Sequence, residues 1–248
     1  MDSTNFFVAG GTLHDSSPSY VRRPADDLLL KLVTKGELCY ILDTRQAGKS
    51  SLMVRTIKAL RLQASALRTV EIDLTNIGDA PPEQWYYTLA DEIAYQLRLT
   101  VDVYAWWQEN KALAPASCFI RFLRNVVLAD VHDLIVIFLD EVDSILKYPY
   151  SDSFIAAIRA LYNKRASAHE FEHISFVLIG TVAPNELMRD QTRTPFNVGH
   201  RIILEDLQLE DSQILLDGLP NKSAALLERI FYWTNGHPYL TQKIGQEI

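Results

Sequence analysis

This 248-residue sequence predicts an α/β fold, with a five-stranded, mostly parallel sheet flanked by helices on both faces. Three observations carry the prediction. Short apolar runs alternate with longer helix-like segments along most of the chain, the pattern of repeated strand–helix–strand units. The run "DLIVIFLDE" (133–141) is apolar from end to end between its acidic flanks, as a strand buried on both faces is. The stretch "LCYILDTRQAGKSSLMVR" (38–55) passes from an apolar strand through a tight loop directly into a helix-like pattern.

Taken in order, residues 1–19 are rich in Ser, Gly and Asp and read as an extended lead-in. "RRPADDLLLKLV" (22–33) has Pro24 at a first helical position, followed by acidic residues and clustered leucines, so it reads as a helix. "ELCYILD" (37–43) is the first strand and "GKSSLMVRTIKALRLQ" (48–63) the helix after the loop. A second strand follows at "LRTVEIDLT" (67–75), then a mostly helical stretch containing "PEQWYYTLADEIAYQLRL" and "ASCFIRFLRNVVLAD". After the third strand (133–141), the helix "SDSFIAAIRALYNKRA" offers Ser151 or Ser153 as its N-cap. "HISFVLIGT" (173–181) and "HRIILEDL" (200–207) are the fourth and fifth strands. From about Leu207 the pattern is helical, so the expected division is a core over 1–206 and a helical lid over 207–248, cut short at its end.

Gly48-Lys49-Ser50 is the centre of a phosphate-binding loop. In such loops backbone N–H groups, here of Arg45, Gln46, Ala47 and the residues through Ser51, converge on phosphate oxygens at a helix N-terminus. Lys49 places a positive charge on the β and γ phosphates, and the Ser50 hydroxyl can ligate Mg²⁺. The full pattern G-x-x-x-x-G-K-[ST] wants a glycine where this chain has Asp43. Aspartate visits unusual backbone angles more readily than most residues, which makes the variant first position tolerable.

Asp140-Glu141 closes the third strand, and ligand chemistry in open α/β sheets sits at that C-terminal edge. Asp140 is placed for the Mg²⁺ shell and Glu141 to polarise an attacking water. The fourth strand ends at Gly180-Thr181; Thr181 either touches the γ-phosphate or the water, or simply ends a strand. ATP or ADP with Mg²⁺ is the expected ligand set.

With those motifs, the chain resembles the AAA-like domain of bacterial, especially cyanobacterial, multidomain proteins, a group related to the STAND signalling ATPases of the P-loop class. The similarity runs through "FFVAGGTL", "SYVRRPAD", "TRQAGKSSLMVR", "EQWY", "FLDEVD", "RTPFNVG" and "NGHPYLTQ". The resemblance implies that Val21, Arg22 and Arg23 belong to the segment that packs on adenine, and that Pro238 approaches the base from the lid. It also makes Arg193 a candidate arginine sensor or finger. It further implies a sheet in which the fourth strand lies between the phosphate-loop strand and the Asp140 strand. Relatives usually read Gly-Arg-Glu where this chain has Arg22-Arg23-Pro24, which leaves the individual base contacts open. Expected partners are ATP and either further copies of the chain or sensor and effector domains of a longer parent protein.

The formal charge of −7, with a sequence pI near 5.4, shows no basic stripe, so nucleic acid is not an expected main partner. Cys39 and Cys118 form no metal-type cluster, and Cys39 reads as a small buried hydrophobe. The start lacks the features of a signal peptide and "LIVIFL" is too short to span a bilayer, so a cytoplasmic location without a membrane is expected. "HEFEH" (169–173) matches a zinc-protease pattern but runs straight into a strand, which breaks the helix that the metal site needs. "YAWW" (104–107) reads as packing or a partner surface. Three functions compete: a regulatory ATPase switching a larger signalling protein, a DNA-linked motor or loader, and a nucleotide-binding scaffold without hydrolysis.

Overall fold

The computed structural model describes residues 6–63, 66–183, 186 and 195–248. Five strands form one sheet: β1 (Cys39–Leu42), β2 (Leu67–Asp73), β3 (Leu134–Asp140), β4 (Ile174–Gly180) and β5 (His200–Arg201). Their order is β2-β3-β4-β1-β5 and every adjacent pair is parallel. β4 therefore separates β1 from β3, as the resemblance implied. Asp73 pairs with Asp140 across β2 and β3, and Leu42 pairs with Gly180 across β1 and β4. That register brings the phosphate loop, the Asp140-Glu141 pair and Thr181 to one edge of the sheet.

Alternation explains the uninterrupted apolar strand. Val136 and Phe138 face α1 (Pro24–Val33) and α2 (Lys49–Gln63), packing with Leu29, Val33, Leu52 and Ile57. Ile135, Ile137 and Leu139 share the opposite core with Trp85, Phe119, Phe122 and Phe154. That second layer comprises α3 (Pro82–Leu97), α4 (Val103–Asn110), α5 (Pro115–Phe122) and α7 (Ser151–Lys164). Between the last two, α5 passes through a π turn (Leu123–Val127) into the short α6 (Leu128–Asp130). Each fully buried side chain of this size contributes roughly 1.5–3 kcal/mol of hydrophobic stabilisation.

Several elements differ from expectation. The fifth strand was expected over 200–207, yet only His200 and Arg201 pair as strand, with Ile202 N–H still donating to the Tyr40 carbonyl at 2.9 Å. In this register the last residue of β1, Leu42, lies opposite residue 203, and the chain then turns into the phosphate loop, leaving residues 204–207 no ladder to join. Neither serine caps α7: Tyr150 holds the N-cap position and Ser151 is already helical and buried. Tyr148 and Tyr150 stack at 5.1 Å and donate to the carbonyls of Gly78 and Ala80, which fixes the entry to that helix. In α4, Trp107 is buried and Trp106 packs edge-on against Phe122 at 5.2 Å, so "YAWW" is largely packing, with Tyr104 exposed. "HEFEH" forms one 3₁₀ turn (His169–His173) that ends where β4 begins.

Beyond Leu207 the chain is not continuously helical. Two 3₁₀ segments (Glu210–Gly218 and Pro220–Lys222) precede α8 (Ala224–Thr234) and α9 (Pro238–Glu247). Pro220 and the positive φ of Asn221 break the run there. These elements form a separate apolar cluster of Leu207, Leu215, Leu219, Leu227 and Ile230, and it includes Phe7 from the lead-in and Val21 just before α1. A Cβ on Gly245 would lie 2.7 Å from the Phe7 ring, and one on Gly218 2.2 Å from Phe6. The lead-in is thus a strap seated in the C-terminal helices rather than a loose extension.

Candidate functional site

The phosphate loop sits between β1 and α2. Its backbone takes positive φ at Gln46 (64°) and Gly48 (90°), not at Asp43. Tolerance of Asp43 therefore has a different cause from unusual backbone angles: its carboxylate accepts from the Thr44 N–H at 2.7 Å and stabilises the start of the turn. Arg45 and Gln46 are exposed on the loop, while Ala47 is buried beneath it. Lys49 Nζ donates to the carbonyls of Asp43 at 2.9 Å and Thr44 at 2.6 Å, holding its charge over the loop. Burial holds the Lys49 ammonium below its ordinary pKa, opposed by the carboxylates of Asp43, Glu141, Asp140 and Asp143.

Ser50 and Asp140, ninety residues apart in sequence, meet here: Ser50 Oγ donates to Asp140 Oδ2 at 2.9 Å. One hydroxyl and one carboxylate oxygen form a hard donor pair, which suits Mg²⁺ completed by phosphate and water. Among the described residues no group of three or more His, Cys, Asp or Glu could hold a metal by itself. The other oxygen of Asp140 accepts from the Glu141 N–H at 2.9 Å, and Glu141 lies in the left-handed region at φ 52°. Burial pushes the Glu141 carboxyl above the usual carboxylate range; Asp140, Asp143 and Asp73 add to this, and Lys49 opposes it. Thr181 gives both its N–H (2.8 Å) and its hydroxyl (3.0 Å) to Asp143.

Beside the loop opens a cleft. Val21, Arg23, Gln46, Gly48, Ser51 and Pro238 all line it, so the cleft joins the phosphate loop to α1's approach and to α9. Arg23 is 7% exposed and donates to the carbonyls of Ala47 at 2.9 Å and Glu205 at 3.3 Å. A Cβ on Gly48 would come within 2.8 Å of its Nη2, so the loop and this guanidinium are fitted to each other. Arg22 lies outside the cleft, exposed and paired with Asp27. Arg193 lies outside the described residues.

Sequence reasoning missed three contributors. Val8, Gly10, Gly11 and Leu13 of the lead-in form one wall of the cleft, with both glycines at positive φ. The "GG" after an apolar "FFV" was the available signal. Gln242 takes the Val8 N–H at 3.2 Å and donates to the Ser19 carbonyl at 2.8 Å, clamping the strap to α9. Ser51 accepts from the Leu13 N–H at 3.0 Å, tying the strap to α2 as well. The third is Asp143, visible in "FLDEVD" but without a sequence signal for its contact with Thr181.

A family model described as "AAA-like domain" matches residues 8–247. An uncharacterized WD repeat-containing protein of Synechocystis is 38% identical over 256 residues, covering 100% of this chain and 21% of that protein. The chain thus spans about a fifth of the length of the curated relative it matches. Among solved structures, a Walker-type ATPase of Pyrococcus abyssi superposes with a TM-score of 0.68 at 15% identity, covering 98% of this chain and 71% of that one. A STAND protein of Pyrococcus horikoshii, described as having a tetratricopeptide repeat sensor, gives 0.51 at 14% identity (92% and 30% covered). The ORC1 protein of Aeropyrum pernix, solved in complex with DNA, gives 0.57 at 11% identity (90% and 57% covered). At these identities the structural likeness concerns the fold. Among the described residues, no helix is long and apolar enough to cross a membrane.

Proposed function

The chain belongs to the AAA-like domain family, and on that premise we propose that it is an ATP-binding and ATP-hydrolysing switch domain of a larger signalling protein. The contact of Ser50 with Asp140 beside Lys49 carries this reading most, because it joins the two halves of a nucleotide–metal site. Phosphates would lie against the loop amides and Lys49, with the base in the cleft between Val21 and Pro238. Ser50 and Asp140 would hold Mg²⁺, which neutralises charge on the transferring phosphoryl group when bound. Glu141 orients and deprotonates the water.

The cleft is walled by the core, the strap and α9 together, so occupancy by nucleotide would bias how 207–248 sits on 1–206. Such a bias is what a switch needs. A cytoplasmic setting belongs to this reading, and action within a longer chain fits the Synechocystis relative, whose name records WD repeats. The likeness to the DNA-bound ORC1 protein favours a second reading, a DNA-linked loader. The −7 charge opposes it, and salt-dependent duplex binding at micromolar or tighter affinity would establish it.

The metal assignment is tested by titrating ATP with and without Mg²⁺. Wild type is expected to bind more tightly with the metal, and Asp140→Asn to lose most of that difference while keeping its metal-free affinity. An unchanged Mg²⁺ dependence in the variant would remove Asp140 from the site.

A further inference from the structure

We propose that Asp143 is a positioning residue that turns the Thr181 hydroxyl into a hydrogen-bond acceptor for the attacking water; this rests on the ATPase reading above. Asp143 Oδ1 accepts the Thr181 N–H at 2.8 Å and Oδ2 the Thr181 hydroxyl at 3.0 Å. An ionised carboxylate only accepts, so the hydroxyl hydrogen is committed to Asp143 and the oxygen presents lone pairs elsewhere. A Thr181 held this way cannot donate to a γ-phosphate oxygen, which is itself an acceptor. It can accept from a water.

The surroundings fix the pair in place. Gly180 precedes Thr181, and a Cβ there would come within 2.8 Å of Asp143 Oδ1 and of Val142 Cγ1, so the close approach requires glycine. The Gly180 carbonyl accepts from the Asp43 N–H at 3.2 Å, which registers Thr181 against the start of the phosphate loop. On the other side, Glu141 stands two residues before Asp143 on the turn after β3. Thr181 and Glu141 then offer two acceptors to one water, and two acceptors define its orientation where one leaves it free to rotate. Thr181 accepts a hydrogen bond throughout; the proton leaves the water to Glu141 as its oxygen bonds to phosphorus and the bond to the ADP oxygen breaks.

The test compares Asp143→Asn, Thr181→Val, Thr181→Ser and the double variant Asp143→Asn/Thr181→Val in single-turnover phosphate release with Mg·ATP. Asn can donate to Thr181 and so reverse the hydroxyl. Asp143→Asn and Thr181→Val are each expected to slow release roughly 10–100-fold, the scale of a misplaced reacting group, with ADP affinity unchanged. The double variant should be no slower than Thr181→Val, and Thr181→Ser should keep most of the rate. Multiplying losses in the double variant, or an unimpaired Asp143→Asn, would overturn the proposal. Affinity for ADP with aluminium fluoride, a mimic of the in-line water and phosphoryl group, is measured on the same proteins. If wild type binds this mimic and releases no phosphate, the same non-additive pattern in affinity supports the positioning role and removes only the hydrolytic one. Equal affinity of wild type and Asp143→Asn for the mimic contradicts the role of Asp143, and a wild type that binds no nucleotide contradicts both readings.

Discussion

Glu141→Gln is expected to keep nucleotide affinity and to lose about 10²- to 10⁴-fold in phosphate release, the range of a positioned general base. The substitution preserves shape and removes the basic oxygen. Affinity should survive because the loop amides, Lys49 and the cleft supply the binding contacts, and Glu141 lines none of that cleft. Its backbone sits in the left-handed region at φ 52°, which turns its side chain away from the run of β3 while Asp140 faces Ser50. Burial, with the neighbouring carboxylates adding to it, raises its pKa, so its conjugate oxygen is more basic than that of an ordinary surface glutamate. Single-turnover conditions with excess protein check this, since an arginine from a neighbouring subunit can contribute roughly 10³–10⁵ in rate and its absence would slow every variant alike. A Gln variant as fast as an active wild type would show that Glu141 is not the base.

Phe7→Ala is expected to destabilise the C-terminal cluster by about 3–5 kcal/mol, the usual cost of truncating a buried phenylalanine. Phe7 is 2% exposed and its ring is packed against Gly245, where even one added methyl would collide. The strap also delivers Val8 to Gln242 and Leu13 to Ser51, so loosening it should weaken ATP binding in parallel. Denaturant unfolding of the two proteins, with nucleotide titration of the same samples, reads both effects. A stability change within about 0.5 kcal/mol would match an ordinary surface site and contradict the seated strap.

The sheet and most of the phosphate edge were legible because they depend on local chemistry. An uninterrupted apolar run of strand length, rich in isoleucine and valine between acidic flanks, fits a strand covered on both faces, and β3 is that strand. Gly48, Lys49 and Ser50 could be read as a candidate phosphate loop because a glycine, a lysine and a hydroxyl in that order between a strand and a helix suit one chemistry. The meeting of Ser50 with Asp140 followed from where parallel strands end. What was not legible depends on long-range fit. No local feature of "NFFVAGG" says that Phe7 seats against residues more than two hundred positions away, and its "GG" marks a turn without saying what that turn walls. The resemblance assigns Val21, Arg22 and Arg23 to one segment, yet the two arginines diverge because Arg23 alone reaches under the loop to the Ala47 and Glu205 carbonyls while Arg22 pairs with Asp27. The fifth strand was overextended because sequence periodicity does not report when its partner β1 has run out.

Thermal unfolding of wild type and Lys49→Ala, each with and without Mg·ATP, tests the nucleotide site most directly. ATP at about 100 times its dissociation constant adds roughly 2.7 kcal/mol to the stability of a protein that binds it only when folded. For a chain of this size that corresponds to a rise of roughly 5–10 °C in melting temperature. Wild type is expected to show that rise, and Lys49→Ala, which lacks the ammonium held over the loop by the Asp43 and Thr44 carbonyls, to lose most of it. Equal shifts in the two proteins, or no shift in wild type, would contradict a nucleotide site built on this loop.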